Sequence, residues 1–257
     1  MTPPAPHAIL VRVRVHHALI NLLYPPACLL CQAPLAPPGD ARARGAMICP
    51  ACLDRMPPSG PPVCLRCGVG LAGAFDALLE CGSCRAHPPA FEAARAPWLY
   101  TGAAQEAIRQ FKYHRRWRIG RWLADEMARV AAASFPLQEV AAVLPVPRHW
   151  LKRRLHGFNA AELLAGAVAR SLKTPCVPDA LRQRRWASTQ TRLSWRERTR
   201  NVEGAFVARE RSVGRRTVLL VDDVLTSGAT AHACARALRE AGVRRVLVLT
   251  AARTPLG

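Results

Sequence analysis

A chain of 257 residues, half of them hydrophobic, is long enough for one substantial core plus a small second module, and this composition excludes global disorder. Its formal net charge of +20 is uneven, with +3 on residues 1–90 and +17 on residues 91–257. Such a field favours polyanions such as nucleic acid, nucleotides or pyrophosphate, although an arginine-rich composition alone gives the same sum, since only Lys112, Lys152 and Lys173 are lysines. No stretch offers the roughly 18 uninterrupted apolar residues of a membrane span. The partly apolar segment His7–Tyr24 is broken by Arg12, Arg14, His16 and His17, which fits an amphipathic helix better than an export signal. The expected location is cytoplasmic.

Eight of the ten cysteines form four CxxC pairs: Cys28/Cys31, Cys49/Cys52, Cys64/Cys67 and Cys81/Cys84. Each pair presents two thiolates from one tight turn, and two pairs complete a tetrahedral four-thiolate shell that leaves no open position for catalysis. A disulfide scaffold would need an oxidising compartment, and a redox dithiol would normally be a single CxxC opening a helix. The expectation is two structural zinc ions, each contributing on the order of 10 kcal/mol to a proline-rich segment with too few apolar runs for its own core. Spacing leaves open which knuckles share a metal, because 17, 11 and 13 residues separate the successive pairs. The phrase LLYPPACLLCQAPL, Leu22 to Leu35, resembles the opening of the ComF family, bacterial proteins linked to DNA uptake in natural competence. That resemblance implies an N-terminal helix and double zinc-ribbon-like module over residues 1–90 and a phosphoribosyltransferase-like domain over residues 91–257.

From Phe91 onward apolar runs alternate with helical patterns. Ala96–Thr101 reads as a strand, Ala103–Tyr113 as a helix, and Gly120–Ser134 as a second helix with Trp122, Leu123, Met127 and Val130 at helical spacing. Between the helices, FKYHRRWRIG (Phe111 to Gly120) is either a solvated basic helix end or, by its resemblance to the ComF phrase LKYxG, the approach to a flexible catalytic loop. Val140–Leu144 is a buried-strand candidate closed by Pro145–Pro147, and Arg148, Lys152, Arg153 and Arg154 follow it. By resemblance, Pro147 and Arg148 belong to a pyrophosphate loop. The phrases PVPxH and GFN are also ComF-like, with His156 and Ala160 where the family usually has Arg and Gln. Asn159 reads as the N-cap of a helix Ala160–Leu172.

Arg182–Arg200 holds seven arginines, one acid, Trp186 and Trp195. Three readings stay open: a surface that stacks single-stranded bases, a hood loop over an active site, or a solvated face. The run Ala187–Phe206 resembles a ComF pattern in which Gln190, Leu193, Arg200 and Asn201 match. Cys176 and Cys234 stand alone and read as small apolar residues.

Val218–Val221 is a short apolar run typical of a parallel strand, placing Asp222 and Asp223 at its carboxyl end, where open α/β sheets bind ligands. Thr226, Ser227, Gly228, Ala229 and Thr230 then make a loop of small residues leading into a helix Ala229–Ala241, so loop amides and a helix dipole converge as for a phosphate. A strand Val243–Ala251 follows. Walker B strands also end in acids, but the GxxxxGK[ST] loop they require is missing from the sequence; receiver domains carry their acids near the domain start.

The run VLLVDDVLTSGAT resembles the phosphoribosyl-pyrophosphate signature of type I phosphoribosyltransferases. The resemblance implies an open, mostly parallel α/β sheet with flanking helices. It also implies ribose hydroxyls held by Asp222 and Asp223, a 5′-phosphate on Thr226–Thr230, and Mg²⁺ on the pyrophosphate. No acceptor motif is legible. The expected ligand is therefore phosphoribosyl pyrophosphate or a related sugar phosphate, either as a transferase substrate or on a transferase-like fold. The alternative function is a non-catalytic protein that handles single-stranded DNA and docks a competence helicase through its zinc module.

Overall fold

The computed structural model describes residues 25–35, 47–71, 79–148, 157–185, 202–209 and 214–255. The helix expected over His7–Tyr24, the basic residues Lys152, Arg153 and Arg154, His156, and the tryptophans of the arginine-rich segment lie outside these residues. The chain divides into two compact units, Met1–Arg55 and Met56–Gly257. The boundary expected near residue 90 falls inside the second unit, because the third and fourth knuckles pack with the sheet.

In the first unit, Cys28 sits in a turn closed by its amide donating to the Ala33 carbonyl at 2.8 Å, and Leu29 donates to Met47 at 2.9 Å. A one-turn helix, Pro50–Leu53, carries Cys52.

The second unit is built on a parallel sheet. Its described strands are β1 (Ala93–Arg95), β2 (Trp98–Leu99), β3 (Val140–Pro145), β6 (Thr217–Leu225) and β7 (Arg245–Arg253), in the order β1–β7–β6–β3, with β2 also on β7. Of the strand expected over Ala96–Thr101 only β2 forms, and β1 precedes it on the same flank of β7, with Ala96 and Pro97 between them. Proline has no amide to give to the ladder, so the break falls where the sequence demands it. A small antiparallel pair, β4 (Leu181–Gln183) with β5 (Phe206–Ala208), brackets the arginine-rich segment.

Four long helices are described: α1 (Gly102–His114), α2 (Trp117–Ser134), α3 (Ala160–Leu172) and α4 (Ala229–Glu240). Alternation along β6 divides its side chains. Val218 and Leu220 join Ala142, Leu144, Val246 and Val248 in a core cluster that includes Cys234 and Leu238 of α4. On α1 and α2, Gly120 lets the helices meet, since a Cβ there would lie 2.4 Å from the Phe111 ring. Phe111, Trp117 and Phe158 form an aromatic group of edge-to-face and tilted rings with centroids 5.0–6.3 Å apart.

Asn159 caps α3 as its residue type requires, accepting from the Ala161 amide at 3.2 Å, and its own amide donates to the Val146 carbonyl just past β3. One buried side chain thus fixes both the helix start and the strand end. Replacing Asn159 with Ala should lower the unfolding free energy by about 1–2 kcal/mol, measured by urea denaturation, with the larger end expected because the Val146 carbonyl also loses its donor.

Candidate functional site

The cysteines resolve into two clusters, Cys28/Cys31/Cys49/Cys52 and Cys64/Cys67/Cys81/Cys84, each with its sulfur atoms within 4.8 Å of one another. The knuckles therefore pair first with second and third with fourth. A tetrahedral zinc with four thiolates spaces neighbouring sulfurs about 3.8 Å apart. The structure has Cys31 Sγ and Cys49 Sγ 3.6 Å apart, and Cys67 Sγ and Cys81 Sγ 3.7 Å apart, too far for disulfides. Backbone amides point at the sulfurs: Cys49 N–H on Cys28 Sγ at 3.3 Å and Cys81 N–H on Cys64 Sγ at 3.4 Å. Burial, which opposes a thiolate, is outweighed at Cys28 by backbone donors from Cys31, Cys49 and Leu30, bringing its pKa down to about 6. At Cys67 the hydrogen bond from the Cys84 thiol, helped by Val69 and Arg253, overcomes burial and lowers the pKa to about 4. Both donor sets fit structural zinc.

At the other predicted site, the strand runs further than the apolar residues suggest. β6 pairs with β7 through Leu225 opposite Arg253, whereas its pairing with β3 ends at Val221 opposite Pro145. Asp222 and Asp223 are therefore inside β6, past the end of its described pairing with β3. Successive strand positions face opposite sides, and the two acids have different surroundings. Asp223 meets Lys112 of α1, Nζ to Oδ2 at 2.8 Å, with both side chains mostly buried. Burial works against the Lys112 charge, but Asp223 and then Asp222 and Tyr100 outweigh it and raise its pKa. Asp222 accepts the Asp223 amide at 2.8 Å. Burial first, then the charge of Asp223, pushes its pKa up to about 7, against the opposing pull of that amide, Lys112 and Arg148. Arg148 is thereby placed within electrostatic reach of Asp222, with Pro147 beside it. Lys112 lay inside the phrase singled out from the sequence, yet its partner, more than a hundred residues away, has no signature in local spacing.

The loop Thr226–Thr230 turns at Gly228, whose φ of +80° is left-handed and favours glycine. The N-cap position of α4 is Gly228, which has no side chain to cap with, and the first turn holds no acid. The amides of Thr226, Ser227 and Gly228 have no backbone acceptor among the described residues, while the Ala229 amide donates to Ser227 Oγ at 3.4 Å. A helix start whose preceding amides lack backbone acceptors is a ready anion seat. Behind the loop, Arg253 donates through Nη1 to the carbonyls of Leu225 at 3.0 Å and Thr226. A cavity of about 330 Å³ lies between this loop and the second cysteine cluster, lined by Cys67, Cys84, His87, Phe91, Ser227 and His232 among others. Cys234 is fully buried beneath Asp222 and serves as a small core residue; Cys176 is only partly covered.

A separate basic region surrounds the start of β7. One cleft is lined by Arg66, Glu92, Arg239, Arg244 and Arg245, and an adjoining one by Arg215, Arg239 and Arg244. Arg245 is committed to Glu92 and Glu139, and Arg66 to Glu80 at 3.0 Å. Among the described residues, no carboxylate pairs with Arg215, Arg239 or Arg244.

Metal analysis of protein purified under reducing conditions should find two zinc ions per chain. Cys49→Ser or Cys81→Ser should each remove about one equivalent and destabilise its own unit by several kcal/mol. Native mass spectrometry reads the first outcome and thermal unfolding the second.

Two family models match the chain: a double zinc ribbon domain over residues 19–85 and a phosphoribosyl transferase domain over residues 159–255. DNA utilization protein YhgH of Escherichia coli K12 is 30% identical over 240 residues, covering 91% of this chain and 99% of that protein. Competence protein F of Haemophilus influenzae is 29% identical over 197 residues, 75% of this chain and 85% of that one. Competence protein ComFC of Bacillus subtilis is 26% identical over 196 residues, 76% and 72% of the two chains. Paired cysteine knuckles ahead of a parallel sheet that carries an acid pair and a glycine-turned loop, together with a relative matched along nearly its whole length, place this chain in the ComF family, with its double zinc ribbon and phosphoribosyltransferase domain.

Proposed function

We propose that β6 and the loop after it bind a 5-phosphorylated ribose, as phosphoribosyl pyrophosphate with Mg²⁺, in a protein that serves DNA uptake or use, as its relatives' names indicate. The observation that carries this reading is the start of α4 at Gly228, where the loop amides of Thr226, Ser227 and Gly228 have no backbone acceptor among the described residues, directly after two acids that lie past the end of the β3 pairing. The 5′-phosphate sits on Thr226–Thr230. The part of β6 beyond Val221 gives the ribose access to Asp222 and Asp223, and Arg148, following Pro147, offsets pyrophosphate charge. Mg²⁺ bound with the pyrophosphate would supply further charge neutralisation. Lys112 holds Asp223 at 2.8 Å, so its carboxylate is oriented without waiting for ligand. Whether the bound sugar is transferred depends on an acceptor; the binding site is the same in either case.

A second reading, single-stranded DNA binding with a helicase partner, is favoured by the paired clefts of Arg215, Arg239 and Arg244. These arginines can track phosphates without base readout.

Phosphoribosyl pyrophosphate with Mg²⁺ at a hundred times Kd should add ~2.7 kcal/mol of stability, read as a thermal shift. Asp222→Asn with Asp223→Asn should abolish the shift, and a wild-type chain that shows none would refute the sugar-phosphate reading. DNA binding, if it resides in the basic clefts, should survive that double change. It should weaken on replacing Arg239 and Arg244 with Gln, and fall steeply with salt, as counterion release requires.

Protonation supplies another check. Asp222 has a pKa of about 7 in the folded chain against an ordinary value of 3.8, so its contribution to stability is complete near pH 4 and lost as pH rises through 7. Asp222→Asn removes this loss. Its advantage in melting temperature over the wild type should therefore grow as pH rises from about 5.5 to about 8, in ligand-free protein with zinc bound, and then level off.

A further inference from the structure

Arg253 closes β7 and is buried, with only 8% of its surface exposed. Its guanidinium faces two ways. On one side Nε donates to the Cys67 carbonyl at 3.2 Å and Nη2 approaches Cys67 Sγ at 3.9 Å. On the other, Nη1 donates to the carbonyls of Leu225 at 3.0 Å, Thr254 at 3.1 Å and Thr226. A single side chain thus grips a ligand residue of the second cysteine cluster and the point where β6 becomes the phosphate loop. Among the described residues no carboxylate pairs with it. Four thiolates around one zinc carry a net charge of about −2, so the metal centre is the counter-charge that a buried guanidinium otherwise lacks.

Packing through Phe91 also joins the knuckle to the neighbourhood of the loop, but it does not hold the loop carbonyls. The cavity of about 330 Å³ separates Cys67, Cys81 and Cys84 from Thr226, Ser227 and Gly228. The knuckle has its own attachments elsewhere. Gly68, at φ +66°, lies so close to β1 that a Cβ would come within 2.4 Å of the Ala94 oxygen, and the Ala90 amide donates to His232 Nδ1 at 3.1 Å. These hold the knuckle to the sheet and to α4. They do not reach the loop carbonyls.

We propose that Arg253 is a positioning residue that couples the second metal centre to the phosphate loop, so that sugar-phosphate binding and metal retention at Cys64, Cys67, Cys81 and Cys84 support each other. The inference rests on the reading of that loop as a 5′-phosphate seat. With metal present, the guanidinium is held on Cys67 and keeps the Leu225 and Thr226 carbonyls turned inward, leaving the loop amides for ligand. With metal lost, nothing pins Cys67 to the other three cysteines, and the grip that Arg253 takes on the loop through the Cys67 carbonyl slackens. Linkage makes the effect reciprocal: a ligand that favours the ordered loop must also favour the metal-bound knuckle.

The test uses the full chain with two zinc ions bound, as wild type, Arg253→Gln and Arg253→Lys. Three quantities are read: hydrogen exchange of the loop amides, affinity for ribose 5-phosphate, and alkylation of Cys64, Cys67, Cys81 and Cys84 in a chelator, resolved by mass spectrometry with and without ribose 5-phosphate. In the wild type, ribose 5-phosphate should slow alkylation of these four cysteines and leave Cys28, Cys31, Cys49 and Cys52 unchanged. Arg253→Gln should keep both metals, exchange its loop amides about tenfold faster and bind ribose 5-phosphate about tenfold more weakly, as expected for losing charged hydrogen bonds. Its alkylation should no longer respond to the sugar phosphate, a response that a purely structural role would leave in place. Arg253→Lys keeps the charge but not the forked geometry, and should recover only part of the loop protection. Should Arg253→Gln not fold, Arg253→Lys carries the same three comparisons. Unchanged loop exchange in the folded variant, or alkylation still slowed by ribose 5-phosphate, overturns the coupling. A wild-type chain that binds neither ribose 5-phosphate nor phosphoribosyl pyrophosphate refutes the sugar-phosphate reading instead, and loop exchange still decides whether Arg253 ties the knuckle to the loop.

Discussion

Parallel pairing of β6 with β7 continues to Leu225 and Arg253, four residues past the last residue that β6 shares with β3. Much of the rest follows from this unequal length. On the β7 side the backbone groups of β6 are satisfied, so the strand stays straight through its two acids. On the β3 side its described pairing ends at Val221, so Asp222 and Asp223 lie past that pairing. The paired length also delivers Arg253 to the foot of the loop. Shortening the pairing at its carboxyl end would displace the acids, the loop and the arginine together.

Charge in this molecule is distributed in two distinct ways. Near the end of β3 the described charged groups have assigned neighbours: Lys112 with Asp223, Arg148 near Asp222, Arg253 with Cys67. Around the start of β7, Arg215, Arg239 and Arg244 are gathered without matching acids among the described residues. The first arrangement costs desolvation and is justified by geometry, as in a site that must hold a small anion in one pose. The second remains hydrated and acts through its field, which suits a long polyanion. The net charge of +20 in the sequence merges the two.

The residues of both metal clusters were legible because CxxC spacing is itself the geometry of the knuckle. Their pairing was not, since it depends on how the chain folds back and not on spacing. Asn159 as a helix cap was equally local and was legible in full. The acid pair and its loop could be named from thirteen residues. That the strand runs on past Val221 could not, because Val224 and Leu225 are held by pairing with β7 and Asp222 and Asp223 mask the apolar run. Lys112 and Arg253 lie far along the chain from the groups they touch, and an arginine at the end of an apolar strand gives no sign of a thiolate partner. The gap between β1 and β2 at Pro97 was foreseeable from proline alone.

The edge strand β1 takes its described pairing from β7, Ala93 to Arg95 against Leu247 to Leu249, and Gly68 of the second knuckle pair lies against β1. During synthesis, therefore, the third and fourth knuckles leave the ribosome long before the strand that will seat them. Their thiols must wait, reduced and either metal-bound or shielded, while most of the remaining chain is made, a delay typical of folds dominated by distant contacts. The first unit closes by Arg55, so the seat of its cluster does not await a distant strand. The two metal centres, alike in ligand set, should differ in when they mature and in how much a shortage of zinc or an oxidising stress during translation harms each of them.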